Sequence, residues 1–197
     1  MPGSGPPVYY WDTCIFLAWL KNEQRPAGEM DGVSAAIERF NRGRIRLMTS
    51  VLTYTEATIA KLPAGVDRLL EDAMQRPNMA KVGVDIKIAK LARDIRNHYL
   101  GTSIDGFTVS VPDSIHLATA ILYRADEFHT FDTRDQQKYR SLGLLPLNGD
   151  VAGHRIRICK PSTQQLELVY PETIDDAADS DTEENDADEA DDDGRAF

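Results

Sequence analysis

The sequence predicts an α/β protein built on a parallel β-sheet with helices on both faces. Two observations carry this. Between residues 8 and 160, short β-rich runs alternate with longer segments whose apolar residues recur at helical spacing. Glycine and proline stops, among them Gly43, Pro63, Pro77 and Pro112, separate those segments. Such alternation implies βαβ units, and βαβ units stack parallel strands under helices.

The elements are expected in this order. Val8–Trp11 is a short buried strand, and Thr13–Lys21 is a helix. Glu29–Asn41 carries Val33, Ala36, Ile37 and Phe40 at helical spacing and stops at Gly43. Ile45–Thr49 is a strand and Ser50–Lys61 a helix ended by Pro63. Val66–Gln75 is a helix that ends before Pro77. Asp85–Leu100 is a long helix with Ile88, Leu91, Ala92, Ile95 and Tyr99 on one face. Asp113–Tyr123 is a very apolar helix opened by Pro112. Glu127–Thr130 is a strand, Arg134–Ser141 a short helix, and Arg155–Cys159 the last strand.

Composition narrows the class. The chain has 197 residues, of which 42% are hydrophobic, enough for one domain with a real core and an extension. No segment approaches the roughly 18 apolar residues that span a bilayer; the run Cys14–Leu20 is far too short. Residues 1–7 form a Pro/Gly-rich arm without a basic stretch, so no secretory signal is expected there. The two cysteines, Cys14 and Cys159, lie far apart in apolar runs, which suits buried thiols in a reducing cytoplasm better than a disulfide or zinc framework. The net charge of −10 is unevenly placed: thirteen of the 32 acidic residues fall in residues 172–197, with Arg195 as the one base there. That stretch is expected to be a disordered acidic tail, joined by a linker over 161–171. The body without it is mildly basic, which permits nucleic-acid contact.

In open parallel sheets the functional site sits at the carboxyl ends of the strands. Carboxylates cluster at those expected ends. Asp12 follows the first strand, where it would also serve as a helix N-cap. Glu56 shares a helix face with Leu52, Ile59 and Ala60, a face that should be buried, so its charge needs a partner. Asp113 opens an apolar helix after Pro112, as a cap or as a site residue. His116 lies one turn further on the same side, where a packing role competes with a functional one. Asp132 ends the strand through Thr130-Phe131-Asp132, and Asp135 follows as an outer ligand or as surface. Four carboxylates gathered within a few ångströms would repel one another and take up protons unless a cation neutralised them. Hard oxygen donors select Mg²⁺ or Mn²⁺. Lys21, Arg42, Arg44 and Arg46 are the bases that could steer a nucleic-acid backbone, or else plain surface.

The segments Asp12-Thr13, Thr49-Ser50-Val51-Leu52-Thr53-Tyr54-Thr55-Glu56, Asp113-Ser114-Ile115-His116-Leu117-Ala118-Thr119-Ala120 and Thr130-Phe131-Asp132 resemble the PIN-domain family, in particular its VapC-type toxins. The resemblance covers about residues 8–160 and keeps the family's order. It implies a three-layer α/β/α PIN-like fold and a magnesium- or manganese-dependent endoribonuclease, the toxin of a toxin–antitoxin pair. It implies that Asp12, Glu56, Asp113 and Asp132 hold the metal, with Thr13 and Thr130 as flanking hydroxyls. An RNA substrate, a cognate antitoxin and a homodimer are the partners it suggests, in a cytoplasmic setting. One departure stands out: Arg134 occupies a position where many relatives carry another acid. The acidic tail is not a family feature.

Other readings remain open at this level. A strand ending in Asp also opens haloacid-dehalogenase-type phosphatases, but their second Asp is here Cys14. The acid pair of a receiver domain is missing too. A PIN-like binding module without catalysis, and a nuclease that processes RNA or DNA outside any toxin system, both fit the same fold.

Overall fold

The computed structural model describes residues 5–59, 65–102, 106–134 and 140–164. Its centre is a five-stranded, all-parallel sheet in the order β3-β2-β1-β4-β5. The strands are β1 (Val8–Trp11), β2 (Arg46–Ser50), β3 (Met79–Val82), β4 (Glu127–His129) and β5 (Ile158–Cys159). Helices α1 (Thr13–Lys21) and α2 (Glu29–Asn41) connect β1 to β2, and α3 (Leu52–Ile59) and α4 (Val66–Met74) connect β2 to β3. Helices α5 (Ile86–Thr102) and α6 (Val111–Leu122) connect β3 to β4.

Alternation along the central strand sorts the helices into two layers. Tyr9 and Trp11 point to one face, where they pack with Ile15, Phe16, Val33, Phe40, Ala57 and Met74 of the first four helices. Tyr10 points to the other face and packs with Ile88, Ile95, Leu117 and Phe128. Aromatic contacts anchor both layers: Tyr10 stacks on Phe128 at 4.9 Å, and Trp11 meets Phe16 edge-on at 5.2 Å. Burying each such ring stabilises the fold by roughly 1.5–3 kcal/mol. The result is the α/β/α sandwich that the sequence predicts.

The differences from expectation are local and have identifiable causes. Strand β3 was not anticipated, because Met79-Ala80-Lys81-Val82 is an edge strand of weak β-propensity. Its register is held by Asn78, whose side-chain amide donates to the carbonyls of Phe40 (2.8 Å) and Ile45 (3.1 Å). Strand β2 runs one residue later than expected. β5 is confined to Ile158–Cys159, and a 3₁₀ turn at Leu145–Leu147 is new. Helix α6 begins at Val111 because Ser110, not Asp113, is its N-cap. The expected helix over Arg134–Ser141 falls mostly on residues 135–139, outside those described; its ends are not helical, and Ser141 bridges to Thr108. Asp135, Lys61, Pro63 and the acidic stretch 172–197 also lie outside the described residues.

The sheet order places β2 and β3 on one side of β1 and β4 and β5 on the other. The chain therefore leaves β1 in two senses, and a crevice opens beyond the carboxyl ends of β1 and β4, the topological switch point. Among the described residues, no helix is long and apolar enough to cross a membrane.

The segment after β5 returns along α2. Arg39 donates to the carbonyls of Ser162 (3.2 Å) and Thr163 (2.7 Å). Gly32 makes this approach possible, since a Cβ there would stand 2.1 Å from the Pro161 carbonyl oxygen. Gly32→Ala is expected to lower stability by about 1–3 kcal/mol through this overlap. Urea unfolding checks it, and an unchanged midpoint would contradict the close approach.

Candidate active site

The crevice at the switch point is an open cleft of about 830 Å³ lined by Asp12, Thr13, Cys14, Leu17, Arg25, Glu56, Asp113, Phe131, Asp132, Thr133 and Arg134. All four expected carboxylates line it. They come from four different elements, which is why no local motif announces them.

Asp12 is set by β1 and α1 together. Its backbone N–H continues the sheet to the His129 carbonyl at 3.1 Å, and its side chain caps α1 by accepting from Thr13 N–H at 2.7 Å. The cap and the site are thus one residue. The other carboxylate oxygen accepts from the Thr130 hydroxyl at 2.8 Å and the Cys14 thiol at 3.1 Å. Burial, and then the Asp12 charge, push that thiol well above its ordinary value of 9.0, so it stays a neutral donor.

Thr130, fully buried, ties two of the acids together. Its hydroxyl donates to Asp12 and accepts the backbone N–H of Asp132 at 3.0 Å. The Asp132 carbonyl in turn accepts from Leu144 (3.3 Å) and Leu145 (3.0 Å). This turn needs Gly143: its φ is +69°, and a Cβ would lie 2.3 Å from the Thr133 backbone carbon.

Glu56 has the partner that its buried face requires. Its carboxylate accepts from the Thr13 hydroxyl and from His116 Nε2, the latter at 2.9 Å. His116 is buried, and its Nδ1 lies 2.7 Å from the Tyr10 hydroxyl, which also accepts the Ser50 backbone N–H at 3.0 Å. His116 is therefore a buried histidine whose ring is satisfied by Tyr10 and by a cleft carboxylate. Burial disfavours charge on both partners. The hydrogen bond and mutual attraction outweigh it, lowering the Glu56 pKa and raising that of His116.

Asp113 sits at the third position of α6, where Ser110 accepts its N–H (3.2 Å) and donates to its carboxylate (2.5 Å). Burial raises its pKa. The Ser110 hydroxyl pulls it back, while the Asp12 and Glu56 charges push it up against the pull of His116. This carboxyl thus stands in a field that favours an added positive charge.

The four carboxylates that line the cleft are oxygen donors, a set that suits a hard divalent cation. Among the described residues, the one trio of His, Cys, Asp or Glu ligand atoms within 4.8 Å lies elsewhere, at Glu127, His129 and Cys159. That trio is a closed hydrogen-bond set. Trp11 donates its indole N–H to His129 Nδ1 (3.2 Å), which leaves the proton on Nε2, bonded to Glu127 at 2.7 Å. Arg157 meets the same glutamate at 3.3 Å. A metal at Nε2 would require the proton to move onto the nitrogen that already faces the indole N–H. Among the described residues, no three of the cleft carboxylates bring their oxygens within 4.8 Å of one another.

Sequence reasoning missed Arg25, Cys14, Leu17 and Tyr10 as parts of this site. Arg25 belongs to the α1–α2 loop, where no periodicity marks it. The bases expected to steer a substrate lie elsewhere: Lys21 ends α1, and Arg42, Arg44 and Arg46 surround the start of β2, at the opposite end of the strand. Arg42 there pairs with Glu38 at 2.6 Å.

Residues 9–141 match the family model of the PIN domain, and the chain belongs to that family. PIN domains are generally nucleases. Among solved structures, VapBC2 from Rickettsia felis, bound to a DNA fragment from its promoter, shares the fold with a TM-score of 0.51 at 12% identity, covering 77% of this chain and 98% of that one. A toxin–antitoxin complex from Klebsiella pneumoniae is 20% identical over 68% of this chain and 94% of that one, with a TM-score of 0.44. Comparison with curated proteins gives no match.

The Glu56–His116 pair makes stability depend on pH in the presence of a chelator. The Glu56 contribution is present above its ordinary 4.5 and is lost as pH falls through the lowered folded value. The His116 contribution is complete below 6.5 and is lost as pH rises through the raised folded value. The stability difference between wild type and Glu56→Gln is therefore expected to peak between about pH 4.5 and 6.5. Urea titrations at acidic, intermediate and alkaline pH check this; a difference that stays flat would contradict the pairing.

Proposed function

We propose that the chain is a magnesium- or manganese-dependent endoribonuclease, and that it acts as the toxin of a toxin–antitoxin pair. The observation that carries this is the meeting of Asp12, Glu56, Asp113 and Asp132, from four separate elements, around one open cleft at the switch point of a PIN domain. Asp12, Asp113 and Asp132 would hold the ion, with Glu56 beside them. A divalent ion held there would supply a water of lowered pKa and positive charge toward the phosphate oxygens.

The protein's own groups prepare that chemistry. Thr13 N–H, Thr130 and Cys14 fix the Asp12 carboxylate, so it is oriented before anything binds. Thr130 passes that order on to Asp132. Thr13 and His116 keep Glu56 an anion, ready to accept a proton or orient a water. Asp113, its pKa raised by burial and by its acidic neighbours, would be favoured in its charged form by an added cation.

The toxin assignment rests on the VapC-type character of the four motifs, and the fold shared with VapBC2 agrees with it. On this reading residues 8–160 are the nuclease domain, 161–171 a linker and 172–197 an acidic, solubilising extension. The partners are an RNA substrate, a cognate antitoxin and a second copy of the chain, in the cytoplasm.

RNA cleavage by the full chain tests the reading. We expect cleavage with Mg²⁺ or Mn²⁺, none with chelator, and a loss of at least about a hundredfold in Asp12→Asn, of the order seen when a group that stabilises the transition state is removed. Equal activity in all three conditions, or none in any, would overturn it.

A further inference from the structure

The acidic cleft presents a difficulty for any nucleic acid: four carboxylates repel the phosphates they are meant to approach. Two arginines line the same cleft, and each guanidinium lies over an aromatic ring. The Arg25 guanidinium lies 3.9 Å from the centre of the Phe131 ring, and that of Arg134 lies 4.1 Å from the centre of the Phe107 ring. Both line the cleft with the carboxylates. They bracket Asp132: Phe131, which carries Arg25, precedes it, and Arg134 follows two residues later.

Arg25 is further braced by two glutamates. Its Nε donates to Glu23 at 3.1 Å and its Nη1 to Glu29 at 3.2 Å, while Lys160 meets the other Glu29 oxygen at 2.6 Å. These bonds fix the plane of the guanidinium and leave its remaining N–H donors for another acceptor. A stacked, braced guanidinium has already lost most of the side-chain freedom that binding would remove, and its planar fork matches a phosphate in two-point contact. Glu23 and Glu29 take up Nε and one Nη1 donor, so Nη2 is the nitrogen of the fork without a glutamate partner in this set. The cost of ordering has been met within the fold.

We propose that Arg25 and Arg134 form a two-pronged clamp for the phosphodiester backbone of single-stranded RNA, holding phosphates on either side of the bond at Asp132. This rests on the nuclease reading and gives it the substrate contacts that the steering bases named from sequence do not supply. The arginines are positioning residues: they bring the backbone over the carboxylates and offset their repulsion. They hold no metal.

The test reads binding, not cutting. The full chain carrying Asp12→Asn is titrated with a short 5′-labelled single-stranded RNA in Mg²⁺, and anisotropy is followed from 50 to 200 mM KCl. Arg25→Gln and Arg134→Gln are each added to that background, with Arg44→Gln as control. Each clamp variant is expected to bind about tenfold more weakly and to flatten the slope of log K against log salt by about 0.7, the value for one phosphate contact on a single strand. Arg44→Gln is expected to match its parent. Arg25→Lys and Arg134→Lys should keep the salt slope while losing affinity, because the charge stays and the fork is lost. Melting temperatures separate these effects from unfolding, and Arg134→Gln tests the clamp even where loss of the Arg25 braces loosens the loop. Parent-like affinity and slope in both Gln variants, at unchanged melting temperature, would overturn the clamp. A wild-type chain that cuts no RNA would instead overturn the nuclease reading, and the clamp would still stand or fall on the anisotropy.

Discussion

Asp12 is buried in a place where a carboxylate would otherwise cost several kcal/mol, and it is tolerated because three donors converge on it. The helix it caps and the hydroxyl of Thr130 both depend on that one side chain, while its backbone N–H extends the sheet to His129. β1 is the centre of the sheet, so the residue that ends it is fixed by both neighbouring strands. From Asp12 the order spreads outward: Thr130 carries it to Asp132, and Thr13, next in the chain, carries it to Glu56. The cleft is a continuation of the sheet's own hydrogen bonding.

This arrangement separates two kinds of electrostatic work. Asp12, Glu56 and Asp113 are held by a backbone N–H, hydroxyls, a protonated thiol and one histidine. Four carboxylates around one cleft favour an added cation. The guanidiniums of Arg25 and Arg134, which lie over Phe131 and Phe107, line the same cleft. The contrast with Glu127 is instructive: it meets His129, Arg157 and the Cys159 thiol in a set that closes on itself.

Much of the fold was legible because its signals are periodic or local. The apolar spacing of α2, α5 and α6, the Pro112 start and the run Val8–Trp11 all reported the structure they form. What escaped has a common cause. Strand β3 draws its stability from Asn78 and from its neighbour β2, not from β-propensity. Asp113 looked like a cap because Pro112 precedes it, but the capping hydroxyl is Ser110, one position before the apolar run. At the site, the four acids could be named from their places at strand and helix ends, and from family resemblance. Their partners could not. His116 reaches Glu56 across sixty residues and Arg25 reaches Phe131 across more than a hundred, distances at which sequence spacing carries no information.

The central claim is that these four carboxylates make a binding place for a divalent ion. Calorimetric titration of the full chain with Mn²⁺ tests it most directly. The account predicts a saturable high-affinity phase in the wild type that is weakened at least about tenfold in Asp12→Asn and in Asp113→Asn, the scale on which removing a coordination partner is felt, with residual weak binding left unchanged. A wild-type chain with no such phase, or one whose phase survives both substitutions, would contradict it.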